Sequence, residues 1–190
     1  WRVFATGLSF ALFGIGGLVL RVVVFPLLSL CVRAPAARQR AARAAVRLSF
    51  RAFVGIMHLL GVLRYEVRGL DKLEREGQLI LANHPTLIDT VFLIAFVRNA
   101  DCIVKGALSS NPFMRGPIRA AGYICNDRGP ELVADCIASL RAGGNLIVFP
   151  EGTRTPPGGA ATLKRGAANI AVRGMRAVTP VVIQCDPPTL

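Results

Sequence analysis

The chain has two histidines, His58 and His84, and only His84 stands in company that could do chemistry. It lies in Asn83-His84-Pro85-Thr86-Leu87-Ile88-Asp89, five residues before a carboxylate. On one continuous helix that spacing would hold the two side chains about 140° apart, facing away from each other. Pro85 changes the geometry. A residue before proline is driven to extended backbone, and proline favours the first positions of a helix. His84 therefore ends a strand, and Asp89 lies in the opening turn of the helix that follows. A carboxylate there is favoured by the helix amino terminus and can accept a hydrogen bond from one imidazole nitrogen, leaving the other as a base. This is the base-and-orienter half of a triad. No serine or cysteine nucleophile motif accompanies it, which puts direct attack by a substrate hydroxyl ahead of a covalent enzyme intermediate. His58, set among arginines and apolar residues, is read as a structural side chain.

A second constellation follows the apolar run Asn145–Pro150: Glu151, Gly152, Thr153 and Arg154. Glycine lets backbone approach a ligand, and the forked guanidinium of Arg154 suits phosphate. Lys105, Arg128, Lys164 and Arg165 extend the same positive set, so an anion site is expected. Metal chemistry has no support: no HExxH and no Cys/His cluster occurs. Neither a Walker A sequence nor a dinucleotide fingerprint is present, and Gly14-Ile15-Gly16-Gly17 lies in an apolar run that opens no phosphate loop. Five cysteines without a CxxC pair, most inside apolar runs, read as reduced core residues.

The elements that must position these residues alternate. Leu63, Tyr65 and Val67 alternate with Arg64, Glu66 and Arg68, the period of a half-buried strand. Short apolar runs follow at Gln78–Asn83, Cys102–Lys105, Gly122–Cys125, Asn145–Pro150 and Val178–Gln184. Between them lie helix-like stretches near Leu87–Val97, Pro112–Ala120, Pro130–Ala142 and Arg165–Arg173. The alternation predicts an α/β fold with a mixed, mainly parallel sheet flanked by helices. Pro180 predicts an edge strand or a bulge. In such sheets ligands bind beyond the carboxyl ends of the strands, and His84, Lys105, Arg128 and Glu151–Arg154 all leave those ends.

Ahead of this body, Val3–Leu20 carries no charge over 18 residues, about 27 Å as a helix and close to the hydrocarbon thickness. Arg21 and Pro26 are expected to interrupt it, giving one span plus an arm, or a shallow hairpin. Residues 1–32 are thus read as a membrane anchor. Six arginines and no acid lie between Arg33 and Arg51. Arg40, Arg43, Arg47 and Arg51 fall in one helical stripe, so 33–61 is read as a basic amphipathic helix on anionic headgroups. The positive-inside tendency places the domain that follows, 62–190, on the cytoplasmic face.

The overall composition agrees with a membrane-associated domain. The chain has 190 residues, a formal charge of +12 and 53% hydrophobic residues. That composition excludes intrinsic disorder and requires basic and apolar residues to be segregated along the sequence. A nucleic-acid role is disfavoured, because the arginine stripe adjoins the anchor and no aromatic stacking platform accompanies it. The chain opens on Trp1 and closes on Pro187–Leu190 just after an apolar run, so an excerpt of a longer protein, incomplete at its carboxyl end, is expected.

The sequence resembles the glycerolipid (lysophospholipid) acyltransferases, the 1-acyl-glycerol-3-phosphate acyltransferase group. Their NHxxxxD motif stands here as Asn83-His84 with Asp89, and their FPEGTR motif as Phe149–Arg154. Lys105, Leu108, Pro112, Gly116, Gly122 and Asp127-Arg128 are similar to the family's second block. Lys164-Arg165-Gly166 and Val178–Val181 are similar to its later ones. Thr86 stands where serine is common. The resemblance implies that His84 deprotonates a lysolipid hydroxyl and Asp89 orients it. It implies further that Glu151, Gly152, Thr153 and Arg154 position the glycerol phosphate, with Lys105 and Arg128 as further candidates for that role. The acyl thioester of CoA or of acyl carrier protein would be co-substrate, with no other cofactor and no metal. Membrane phospholipids and the lysophospholipid acceptor would be partners, and nucleic acid would not. Two alternatives differ in acceptor or in class: another lysolipid or hydroxylated lipid, or a catalytically idle membrane-surface binding protein.

Overall fold

The computed structural model describes residues 1–110, 114–154 and 162–186; Pro112, the part of the Glu151–Thr162 loop from 155 to 161, and Pro187–Leu190 lie outside them. Helix α1 (Arg2–Val19) runs through a π turn (Leu20–Val24) into α2 (Phe25–Cys31), and α3 (Pro35–Leu59) returns. A 3-10 turn (Leu70–Leu73) leads into β1 (Leu79–Ala82), α4 (Asp89–Phe96), β2 (Ala100–Val104), α5 (Gly106–Ser110), α6 (Arg115–Ala121) and β3 (Ile124–Cys125). Then come α7 (Glu131–Arg141), β4 (Asn145–Val148), α8 (Gly166–Gly174) and β5 (Val178–Val181).

The strands form one sheet in the order β3-β2-β4-β1-β5, and every described pair is parallel. Parallel strands are covered on both faces, and the side-chain alternation shows it. Ile80, Ala82 and Ile147 face a core shared with Ala42 and Val46 of α3 and with Leu93 and Ile94 of α4. Leu79, Leu146 and Val148 face Cys136 and Leu140 of α7 and Ile170 of α8. Full burial of side chains such as Leu79, Ile80 and Leu146 contributes about 1.5–3 kcal/mol each. Pro180 sits on edge strand β5, opposite Leu81, where its missing N–H removes no ladder bond to a further strand.

Two expectations change, and one element appears that the sequence pattern does not announce. Leu63–Val67 is not a strand: residues 64–70 are all exposed, and the Tyr65 ring leaves the alternating pattern to pack on His58, Phe92 and Phe96. An alternating pattern of types makes a strand only where a sheet edge receives it, and here aromatic packing holds Tyr65 instead. The break expected at Arg21 and Pro26 is absent as well. The π turn, in which the Phe25 amide reaches back five residues to the Leu20 carbonyl, widens the helix just before proline, and Arg2–Cys31 is one continuous apolar helix. Lastly, α5 is a helix that the apolar pattern does not signal.

The arginine stripe divides. Arg40 and Arg51 are exposed, but Arg43 is 6% exposed and its Nη2 lies 2.6 Å from Asp101 Oδ2. Its Nε donates to the Ala121 carbonyl at 2.8 Å and its Nη1 to Asn99 Oδ1. Asp101 also accepts from Ser139 and from the Cys102 amide. Burial holds the Asp101 carboxyl above the usual carboxylate range, and Arg43 and these donors offset only part of that rise. A buried pair with its remaining valences satisfied fixes geometry more than it adds stability, whereas breaking it strands a charge. Arg43→Ala is therefore expected to cost about 3–5 kcal/mol in urea unfolding followed by circular dichroism. Arg43→Met with Asp101→Leu, which removes both charges, is expected to recover most of that loss; equal losses would contradict the assignment.

Candidate active site

The site is built on the carboxyl end of β1. Asn83, the first residue beyond the strand, binds Ile183 twice: its Nδ2 donates to the Ile183 carbonyl at 2.8 Å, and its Oδ1 accepts from the Ile183 amide at 2.7 Å. One side chain thereby closes the ladder between β1 and β5 where backbone pairing stops. His84 follows, held at its strand end by this clamp on its neighbour.

Between His84 and Asp89 the chain reverses. Asp89 is the first residue of α4, is 2% exposed, and accepts three hydrogen bonds. His84 Nδ1 lies 2.9 Å from Asp89 Oδ2, the Thr86 amide donates to the same oxygen at 2.7 Å, and the Thr86 hydroxyl donates to Oδ1. Through the hydrogen bond from the Thr86 amide, the carboxylate at the start of α4 reaches back three residues and closes the turn. The other face of the arrangement is aromatic. The imidazole stacks on Phe149 with centroids 4.2 Å apart and planes 21° from parallel. With Nδ1 donating to Asp89, Nε2 keeps its lone pair, and the His84 side chain is 18% exposed. The arrangement presents one proton acceptor of fixed orientation at an accessible rim.

Parallel pairing of β1 with β4, with Leu81 opposite Val148, brings the second motif to the neighbouring strand end. Glu151 is buried at 7% exposure, while Gly152, Thr153 and Arg154 are exposed. Gly152 has φ +72, a left-handed conformation that favours glycine, and its amide donates to the Phe149 carbonyl at 3.0 Å. A Cβ there would meet the Lys164 side chain at 3.0 Å, so glycine makes room for lysine as well as for the turn. The Lys164 amide donates to the Pro150 carbonyl at 2.7 Å, which joins the two ends of the loop.

The remaining candidates lie further along the sheet. Lys105 is exposed beyond β2, one strand past β4. Arg128, beyond β3 at the far edge, is paired with Asp135 at 2.7 Å and with Glu131 at 3.3 Å. The described residues thus gather His84, Asp89 and the Phe149–Arg154 turn at adjacent strand ends and leave Arg128 at a distance. Residue types and spacing pass over Phe149 as the stacking partner, Asn83 as the clamp and Thr86 as the second holder of Asp89. The three-residue step from Thr86 to Asp89, within reach of a local side-chain-to-backbone hydrogen bond, was a usable signal for the last. Among the described residues no three His, Cys, Asp or Glu side chains gather as a metal site. Cys102 and Cys136 are buried, and burial pushes the Cys136 thiol up to about 12 and the Cys102 thiol higher still, far from a nucleophile's range.

The acyltransferase family pattern matches residues 64–184. A 1-acyl-sn-glycerol-3-phosphate acyltransferase of Pseudomonas aeruginosa is 30% identical over 134 residues, 67% of this chain and 52% of that protein. The Helicobacter pylori protein of the same name is 32% identical over 145 residues, 72% of this chain and 60% of its own. The chain therefore spans about half the length of the curated relatives it matches. The crystal structure of the 1-acyl-sn-glycerophosphate (LPA) acyltransferase PlsC from Thermotoga maritima superposes with TM-score 0.70 at 25% identity, covering 94% of this chain and 73% of that one.

Asn83 supplies a test that needs no substrate. Asn83→Ala is expected to lower stability by about 1–3 kcal/mol through the unpaired Ile183 groups, and to speed hydrogen exchange at the Ile183 amide. Unchanged protection there would remove Asn83 as the clamp.

Proposed function

The chain belongs to the acyltransferase family, and from that premise we propose that it moves an acyl group from a thioester to the free hydroxyl of a lysophospholipid at a membrane surface. The acceptor we assign is 1-acyl-glycerol-3-phosphate, with phosphatidic acid as product. The observation that carries the reading is the His84–Asp89 pair: an imidazole oriented through Nδ1 by a buried carboxylate, with Nε2 free at the rim. The names of the relatives support the choice of acceptor.

In the proposed reaction the acceptor hydroxyl gives its proton to His84 Nε2 as its oxygen attacks the thioester carbonyl. Collapse of the tetrahedral adduct forms the ester and breaks the carbon–sulfur bond, and the departing thiolate takes the proton from the imidazolium. Asp89 holds the ring and stabilises its charged form. Glu151, Gly152, Thr153 and Arg154 position the glycerol phosphate beside it. Lys105 stands next along the rim as a further cation; Arg128 is drawn to Asp135 and Glu131 and reaches phosphate only by leaving them.

The membrane part of the proposal rests on the amino-terminal hairpin. Trp1 Nε1 donates to the Leu60 carbonyl, Phe10 and Phe13 pack on Phe53, and Phe25 lies in the core with Ala42 and Val46. The apolar helix therefore lies antiparallel along α3. Its outer side, including Val3, Phe4, Ile15, Leu18, Val22, Leu27 and Leu30, is exposed and apolar over some 45 Å of helix. A band of that extent has no favourable contact with water, and we assign it to lipid. We assign the domain that carries His84 to the cytoplasmic face, a reading that the arginines between 33 and 51 support through the positive-inside tendency.

His84→Ala is expected to lower transfer by at least about 10²–10⁴-fold while leaving circular dichroism and membrane binding unchanged. The measurement supplies lysophosphatidate with palmitoyl-CoA or palmitoyl carrier protein and follows phosphatidic acid by mass spectrometry. Activity retained by the variant would contradict the role of His84. Product from a different lysolipid alone would move the acceptor within the same class, and liposome binding without any transfer would favour a binding protein.

A further inference from the structure

A second feature lies away from His84. A cleft of about 650 Å³ runs along the outer edge of β3, from Asn99 and Gly144 at the amino ends of the strands to Ser109 and Arg128 at the rim. Its wall on one side is the first half of α3, and on the other it is α7. Close packing sets its shape. Gln39 Nε2 donates to the Ala121 carbonyl at 3.2 Å, and it lies where a Cβ on Gly122, with φ +63, would have to sit. The Arg43–Asp101–Ser139 group holds the floor.

The charge of the lining is unbalanced. Four guanidiniums, of Arg40, Arg43, Arg119 and Arg128, meet two carboxylates, of Asp101 and Asp135. Arg43 is taken by Asp101, and Arg128 by Asp135. Arg40 and Arg119 have no carboxylate partner among the described residues, and both are exposed. Two guanidiniums without a carboxylate partner on the walls of one cleft suit an anion with more than one phosphate or carboxylate oxygen to share between them.

We propose that this cleft holds the phosphorylated end of the thioester donor, the nucleotide of coenzyme A, with Arg40 and Arg119 on its phosphates. The inference rests on the acyl-transfer reading above and adds to it where the donor lies. The placement follows from the sheet. His84 and the Phe149–Arg154 turn occupy the ends of β1 and β4, so the acceptor takes that half of the rim. β3 lies three strand steps from β1, roughly 14 Å. Arg119 closes α6 just before β3, and Gln39 and Arg43 on either side of Arg40 bind the Ala121 carbonyl, so both arginines lie toward the amino end of β3. A donor whose thioester is at His84 therefore carries its flexible arm across the ends of β4 and β2 and down the cleft to bring its phosphates to them. The two substrates then approach from opposite sides, and neither has to pass the other.

The test compares the full chain in detergent with Arg40→Gln, Arg119→Gln and the double variant. Palmitoyl-CoA is varied at saturating lysophosphatidate, and calorimetry measures binding of CoA itself. The double variant is expected to raise KM for palmitoyl-CoA and the Kd for CoA about tenfold or more, with kcat and the KM for lysophosphatidate within about twofold. Arg40→Lys with Arg119→Lys, which keeps the charge, is expected to restore most of the affinity. Unchanged KM and Kd in a folded double variant would overturn the proposal. So would wild-type protein that binds inorganic phosphate or phosphatidylglycerol vesicles through these arginines but not CoA, since a headgroup would then be the occupant. If the wild type transfers no acyl group from any donor, the acyl-transfer reading itself fails. The calorimetric arm still answers separately whether the cleft takes CoA.

Discussion

A carboxylate at the first position of a helix has to be satisfied, and in this protein the way Asp89 is satisfied sets the rest of the site. With 2% exposure it has almost no access to water, so its lone pairs must be met by the protein. Two of its donors come from Thr86 and the third is His84 Nδ1. The same bonds that start α4 therefore reverse the chain after β1 and aim the imidazole. Local folding and site geometry are here one set of contacts. That economy explains why a five-residue spacing, unfavourable on a regular helix, works across a strand end and a capping turn.

The sheet supplies what the turn cannot. A parallel β1–β4 pair delivers Phe149 against the His84 ring from a position 65 residues away in sequence, and β5 is tied to the same point through Asn83 and Ile183. At the opposite end of the strands, buried Asn145 has a comparable office. Its side chain accepts from the Gln78 amide and donates to the Arg75 and Arg98 carbonyls, so the approaches to β1 and β2 are fixed to the start of β4. Polar side chains thus pin both ends of a central strand pair whose middle is held by the backbone ladder and by apolar packing. Rigidity at the rim follows from that division of labour.

The hairpin of apolar helix and α3 is coupled to this body through Arg43. A guanidinium that binds Asp101, Asn99 and the Ala121 carbonyl connects α3 to β2 and to the end of α6 at once. The apolar helix and the rim that bears His84 are thereby tied into one body. The arginine pattern thus serves two ends. Position 43 turns inward as a structural tie, while positions 40 and 51 on the same stripe remain at the surface.

Much of this was legible in residue order. The alternation of apolar runs with helical stretches specifies an α/β sheet because parallel strands need burial on both faces, and Pro85 between His84 and Thr86 specifies the strand-to-helix change that lets His84 approach Asp89. What residue order could not decide was partnership between distant segments. Leu63–Val67 has the period of a strand but packs through Tyr65; Arg43 has the spacing of a surface stripe but finds a buried carboxylate; Arg128 has the chemistry of a phosphate ligand but lies beside Asp135. The sequence alone determined the local geometry of the His84–Asp89 turn, because backbone sterics and capping act over a few residues. Only the tertiary structure decided which charge meets which and which ring covers the histidine, because those choices depend on burial and on which strands become neighbours.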